Sequence, residues 1–493
     1  MKKPQPWALI GFSLVFMAGS WLAPVAWAAE ACPATRTVTP KGATAQDIQQ
    51  AIVKGGPGST VLLSGNYRID ATLRLLDGTT LCTTEGATLT WVDPARAGMI
   101  IDATSASATT VRNLILDGRG IAVRGRGHVI ESNLIRNIQQ PAYLQQDKRR
   151  WGERHGVFIP DQGDDLTIRQ NLFSNIVDTG VMGYNIDRSL IADNKFGDVH
   201  EGIHLFSVSR TQIRNNSGQG FRAMSIEIQG DNLPGLVVEA NRFGRWHKDH
   251  EKGAYAMSIV AGASAVIRDN VIEGSPLMAA GLEIGGHAPL VQRNQLTDAN
   301  IIVTDSPDAV LQANQLIRAG IVKDVNRVKG GKLTIQDNVI QDAPRAAITT
   351  DHWWGYDQVI IQGNQISKKL SSDTQEFVGI LASDFQKQPL RIENNRITIS
   401  KGGVSRHVPV TCIKNGGSQG NLRGMRVVGN TCDGGGVATF SDSNAPGGHI
   451  DVTYERNQLM NLRDTITGDT TGLKAKDNQL VNVTADQARL GNR

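Results

Sequence analysis

The sequence predicts an all-β fold: a right-handed parallel β-helix solenoid with a short N-terminal capping helix. Three observations carry this. A motif of the form apolar-x-x-Asn-x-apolar recurs along most of the chain. Most copies lie about 20–30 residues apart, the period of a stacked repeat. A second pattern, a small residue followed by an apolar strand, follows each copy. Leucine-rich-repeat spacing and helix-length segments between copies are both absent, and a propeller needs longer, more regular blades.

The chain begins with what reads as a secretory signal peptide over residues 1–28. Lys2 and Lys3 form the basic start, Trp7 to Leu22 the apolar run, and Ala26-Trp27-Ala28 the cleavage signal. A retained membrane anchor is the alternative, but the run is short for one. Glu30 and Ala31 make a poor lipid-attachment context for Cys32. No later segment reads as a membrane span, so the expected location is periplasmic or secreted.

Residues 29–60 form the N-terminal segment and cap. Thr44 is placed to cap a short helix, with Asp47 in the capping-box position and Gly55 closing it. Ile48, Ala51 and Ile52 share one face. Solenoids need such a cap to cover the exposed end of the core. The β-helix is expected over residues 61–483, starting with strands near Val61-Leu62-Leu63, Tyr67-Arg68-Ile69 and Leu73-Arg74-Leu75. Residues 484–493 read as a polar tail.

Four cysteines, Cys32, Cys82, Cys412 and Cys432, allow three pairings, and Cys32–Cys82 with Cys412–Cys432 is the local choice. Cys-x-x-Cys spacing is absent, which argues against zinc. Without Lys2 and Lys3 the charge is nearly balanced, and no basic run suggests nucleic acid. Abundant glycine and asparagine suit many tight turns.

The repeat has a direct physical reading. Copies run from Ile130…Asn133…Ile135 through Ile168…Asn171…Phe173 and Ile267…Asn270…Ile272 to weaker ones such as Ala475…Asn478…Leu480. Ile213…Asn216 is a degenerate copy. An Asn at a sharp bend tolerates left-handed backbone and bonds neighbouring amides. Stacked coil on coil, such side chains form a ladder. The small-residue strands, Gly156-Val157, Gly180-Val181, Gly202-Ile203, Ser225-Ile226 and Ser258-Ile259 among them, give each coil a third strand.

On these motifs the chain resembles the right-handed parallel β-helix superfamily over roughly residues 40–483. That superfamily includes pectate lyases, alginate lyases, mannuronan epimerases and polygalacturonases. The resemblance implies a polysaccharide as partner. Family catalytic motifs do not carry over: Asp-Pro-His-Asp survives only as the fragment Asp351-His352, and the pectate lyase Trp-x-Asp-His is absent. The polygalacturonase set is absent, although Asp164-Asp165 is a pair.

Insertions in a solenoid mark its binding face. One runs from Gln139 to about Arg154 and carries Arg149, Arg150 and Trp151; another runs from Gly244 to about Tyr255 and carries Trp246 and His247. They feed strands four coils apart, roughly 19 Å at the ordinary strand spacing. They read as walls of a trough, or more simply as solvated loops. If Val157, Val181, Ile203, Ile226 and Ile259 point inward, the residues after them point out: Phe158, Met182, His204, Glu227 and Val260, with Glu283 one coil on. Arg154, Asp178 and His200 lie four residues earlier on the same face. His204 should neighbour Glu227, and Asp178 should neighbour His200. Gly156, Gly180, Gly202, Ser225 and Ser258 lie between, a bare column that a ligand could approach.

For a uronate lyase or C5-epimerase, His204 or His200 supplies a base, Arg154 neutralises the carboxylate and Tyr184 is an acid. For a glycoside hydrolase, Asp178, Glu227 and Glu283 are the candidate carboxylates. Structural polar groups on an exposed sheet are the bland alternative. His352, Trp353 and Trp354 form a second sugar-binding candidate, or the packing of a turn. The sequence reading places uronate lyase or epimerase chemistry first, then a hydrolase, then a non-catalytic polysaccharide-binding or export protein. No cofactor is required; calcium, any other metal and the oligomeric state are left open.

Overall fold

A computed structural model describes residues 31–140, 152–230, 234–323, 330–350, 356–383, 390–401, 408–417, 424–443, 451–468 and 472–483. The expected signal peptide, the 484–493 tail, and Arg149, Arg150, Trp151, His352, Trp353 and Trp354 lie outside these residues.

The described chain winds into a right-handed parallel β-helix, with every strand pairing among the described residues parallel. The sheet starts slightly earlier than residue 61, because Thr37–Val38 already pairs with Thr60–Val61. Between them lies the cap, helix α1 (Ala45–Gly55). Thr44 caps it reciprocally with Asp47, and Ala45, Ile48, Ala51 and Ile52 are buried on the first coil. Such a cap contributes about 1 kcal/mol. The residue that closes the helix is Gly56, with φ 72°, one position beyond the expected Gly55. No helix among the described residues is long and apolar enough to cross a membrane.

Each coil contributes three strands. Through the middle of the solenoid the first ladder runs Thr167–Arg169, Leu190–Ala192, Gln212–Arg214, Val237–Glu239 and Val266–Arg268. The second follows the asparagine. The third, which becomes the floor of the site, runs through Val157–Ile159, the later parts of Leu172–Asp187 and Lys195–Ser209, then Ile226–Gln229, Tyr255–Ala263 and Ala280–His287. Alternate residues point inward and form one continuous core, in which Phe173 and Phe196 stack at 5.0 Å.

The corner between the first two ladders is held by buried asparagines from Asn133 to Asn457, with the half-buried Asn478 as the last rung. In Asn294, the side-chain amide donates to Asn314 Oδ1 (3.0 Å) and to Ile267 O (2.9 Å). Its own Oδ1 accepts from the backbone and side chain of Asn270. Asn216, the degenerate copy, belongs to the ladder on the same terms. One expectation is corrected. The left-handed backbone falls on the residue before each Asn, as in Asp193 (φ 58°), Arg293 (φ 54°) and Ala313 (φ 54°). That conformation costs a non-glycine residue about 1–2 kcal/mol, and it aims the Asn side chain inward, where its hydrogen bonds offset the cost. The pairs Cys32–Cys82 and Cys412–Cys432 form the two disulfides, as the local choice implies.

Removing one rung tests the ladder. Asn294→Ala leaves the Asn270 N–H and the Ile267 carbonyl without their partner, so urea unfolding should show a loss of about 3 kcal/mol. Asn66→Ala, on an exposed strand position, should stay within about 0.5 kcal/mol. Equal effects of the two would show that the ladder is not what holds the coils.

Candidate active site

Register on the third ladder decides which side chains meet. Phe158 pairs with Met182, Met182 with His204, His204 with Glu227, Glu227 with Ser258, and Ser258 with Glu283. This is the expected outward column with one correction. Val260 is not in it; Met257, not Ile259, lies over Ile226, so Ser258 takes that place. Ser258 donates to Glu283 at 2.6 Å.

The bare column has a different cause from the one expected. A Cβ on Gly156 would lie 2.6 Å from Gly180 O and 2.7 Å from the Phe173 ring. On Gly180 it would meet Phe196, and on Gly202 the Ser225 carbonyl at 2.4 Å. The glycines therefore make room for core phenylalanines and the next coil, not for a ligand.

Strict alternation also breaks just before these glycines. Ile176 pairs with Val199 but Thr179 pairs with Glu201, so the earlier strand carries a bulge. The break brings Glu201 onto the same side as His204. His204 Nδ1 lies 2.8 Å from Glu201 Oε2 and 3.3 Å from Glu227 Oε2, so this nitrogen carries a proton. Nε2 is buried and, among the described residues, lacks a hydrogen-bond partner. The His204 ring leans on Phe206 (4.7 Å), which stacks on Tyr184 (5.0 Å). Tyr184 thus reaches the site through Phe206. Gln229 donates to Glu227.

The three groups differ in proton affinity. Burial pushes the Glu227 carboxyl up, and the nearby Glu201 charge adds to this against the pull of His204. Burial also pushes Glu201 up, but its hydrogen bond and the charges of His204 and His200 outweigh that and leave it lowered. Burial alone lowers His204; Glu201 and Glu227 reverse this and raise it. Among the described residues these three could also hold a metal, since one donor atom from each lies within 4.8 Å of the others. An imidazole donor suits calcium less well than an all-oxygen set.

Asp178 closes the group on the other side. Arg154 pairs with it at 2.8 Å. Thr179 Oγ1 is 3.1 Å from both Asp178 Oδ1 and Glu201 Oε2, so its single proton serves one of them at a time. The Thr179 backbone N–H donates to His155 Nδ1 at 3.3 Å. That bond needs His155 neutral, and burial holds its pKa down to about 4.

Other predicted residues are placed as follows. His200, opposite Asp178 in the register, has its Nε2 3.6 Å from Glu251 on the second loop. Trp246 packs on Phe221 (5.3 Å) and donates its indole N–H to Glu273 O (2.6 Å), so it anchors the loop. His247 Nδ1 accepts from the Asp249 backbone (3.2 Å). Glu201, Thr179 and His155 went unread in the sequence. Their signal is the dipeptide before each glycine, Arg154-His155, Asp178-Thr179 and His200-Glu201, once coils are aligned on the glycine.

With this geometry in hand, residues 97–246 match the family model for a right-handed beta helix region. No curated protein sequence matches the chain. Solved structures similar to it include an alginate lyase from Paenibacillus sp. str. FPU-7, at 15% identity and TM-score 0.32 over 59% of this chain and 95% of that one. A GH87 alpha-1,3-glucanase catalytic domain shows 10% identity and TM-score 0.40 over 78% of this chain and 68% of that one. The A-module of the Azotobacter vinelandii mannuronan C-5 epimerase AlgE6 shows 14% identity and TM-score 0.30, covering 88% and 94%. At these identities no catalytic residue transfers to this chain.

The buried His155 gives a pH test. Its folded pKa is about 4 against an ordinary 6.5. As pH falls, the unfolded chain takes up the proton first, so this part of the stability is present above pH 6.5 and lost between 6.5 and about 4. Urea midpoints should fall across that window in the native protein and fall less in His155→Gln. Parallel curves would refute the neutral buried histidine.

Proposed function

We propose that the protein is exported and cuts glycosidic bonds in a polysaccharide lying on the third ladder. One observation carries this reading: two carboxylates flank a single histidine, and their surroundings push their proton affinities apart. Such a split assigns an acid and a base within one site. Glu227, raised, keeps its proton and donates it to the departing glycosidic oxygen. Glu201, lowered and held ionised by His204, attacks the anomeric carbon. Their nearest oxygens lie less than 4.8 Å apart, which excludes the wider separation by which inverting enzymes fit a water between the carboxyls. Water then releases the sugar, with Glu227 as base. Export is supported by the signal-like start and the two disulfides.

A uronate lyase or epimerase is the second reading. The unpartnered His204 Nε2 favours it, because that nitrogen would be the base. Charge weighs against it. Asp178, Glu201 and Glu283 crowd the described floor, and Arg154 is already paired with Asp178. A substrate carboxylate laid there meets like charges.

Incubation with neutral and acidic polysaccharides separates the readings. The expected products are new reducing ends, with anomeric configuration retained and no unsaturated uronate. Glu227→Gln should cut kcat by roughly 10²–10⁴-fold with little change in KM. Activity should fall as pH rises through the raised pKa of Glu227 and again as it drops through that of Glu201. Unsaturated products, or full activity in Glu227→Gln, would defeat the hydrolase reading; binding without any product would leave only the export or binding role.

A further inference from the structure

A cavity of about 590 Å³ opens across the coils of Tyr184 and Phe206 and the coil before them, one residue past that aromatic pair. Asn185 follows Tyr184 and Ser207 follows Phe206, and both line it. Asp161, Gln162, Asp164 and Asp187 line it as well. The two apolar lining residues, Ile186 and Val208, belong to the core, so the groups a ligand would meet are polar. Asp187 is already held by Arg188, Arg210 and Ser209. Asp161 has only a long 3.5 Å contact from Asn185. These acids are not gathered as a cation site: among the described residues the one group placed for that is Glu201, His204 and Glu227.

The structure assigns this cavity as a saccharide subsite for a neutral, hydroxyl-rich chain, a reading that rests on the function proposed above. Carboxylates and side-chain amides in a concave wall accept from and donate to sugar hydroxyls. Arg210 also lines the cavity and offsets Asp187, so Asp161 and Asp164 leave the wall net negative and a poor host for a polyanion. Ser207 lies three residues beyond His204, about 10 Å along the strand. Phe206 and Tyr184 lie between, half-buried and stacked face to face (7° between ring planes), an apolar ridge beside which a sugar ring can lie. The path from acid pair past this stack to the cavity therefore runs along the strand direction. A trough along the solenoid axis, as the two loops imply, would not use this cavity.

Affinity electrophoresis tests binding separately from cleavage. The full chain carrying Glu227→Gln is run through gels cast with dextran, soluble starch, mixed-linkage β-glucan, galactomannan or alginate. Retardation is expected in a neutral gel and not in alginate. Adding Asp161→Ala should weaken it by about fivefold, and Asp161→Trp, which fills the cavity, should abolish it. Asp161 is exposed, and matching thermal unfolding would show that each variant folds. Retardation unchanged by both substitutions overturns the subsite, as does retardation in alginate alone or in no gel. Loss of retardation on Asp161→Trp in a protein that cleaves nothing supports the subsite while sinking the hydrolase.

Discussion

Coil-on-coil hydrogen bonding by the buried asparagines is the constraint from which the rest follows. Each Asn side chain both accepts from the coil before it and donates to the coil after it. A slip of one residue in any coil would break this chain of bonds and turn its inward side chains to solvent. Every coil must therefore sit squarely over its predecessor. Residues more than twenty positions apart become direct neighbours, and a column of chemistry can be built one residue per coil.

The site exploits this and departs from it at one place. His204 over Glu227 is plain stacking. Glu201 joins them because the preceding strand bulges and alternation breaks before Gly202. The glycine is demanded by the Ser225 carbonyl and the Phe221 ring. Core packing thus sets the backbone, and the backbone brings a second carboxylate to the histidine. One imidazole hydrogen-bonded to the nearer of two buried acids makes them chemically unequal, which two exposed carboxylates would not be.

Periodic features were legible in the sequence. The Asn repeat, the capping box at Thr44 and Asp47, the local cysteine pairing and the His204–Glu227 adjacency all follow from spacing alone. Non-periodic ones were not. Strict alternation hides Glu201, and matching Ser258-Ile259 to Ser225-Ile226 by its small residue misplaces Val260, because Met257 is the residue that lies over Ile226. The left-handed position before each Asn was assigned to the Asn, since composition favours Asn there while geometry needs the side chain inside. Trp246 looked like a wall because aromatic content does not reveal that Phe221 lies beneath it.

The most direct measurement of the central claim is a crystal structure of the Glu227→Gln protein with an oligosaccharide bound. The account predicts the scissile glycosidic oxygen within hydrogen-bonding reach of residue 227, about 3 Å, the anomeric carbon facing Glu201 and a sugar ring against Phe206. A saccharide seated on another ladder, or bound with its reacting centre far from Glu201 and residue 227, would contradict it.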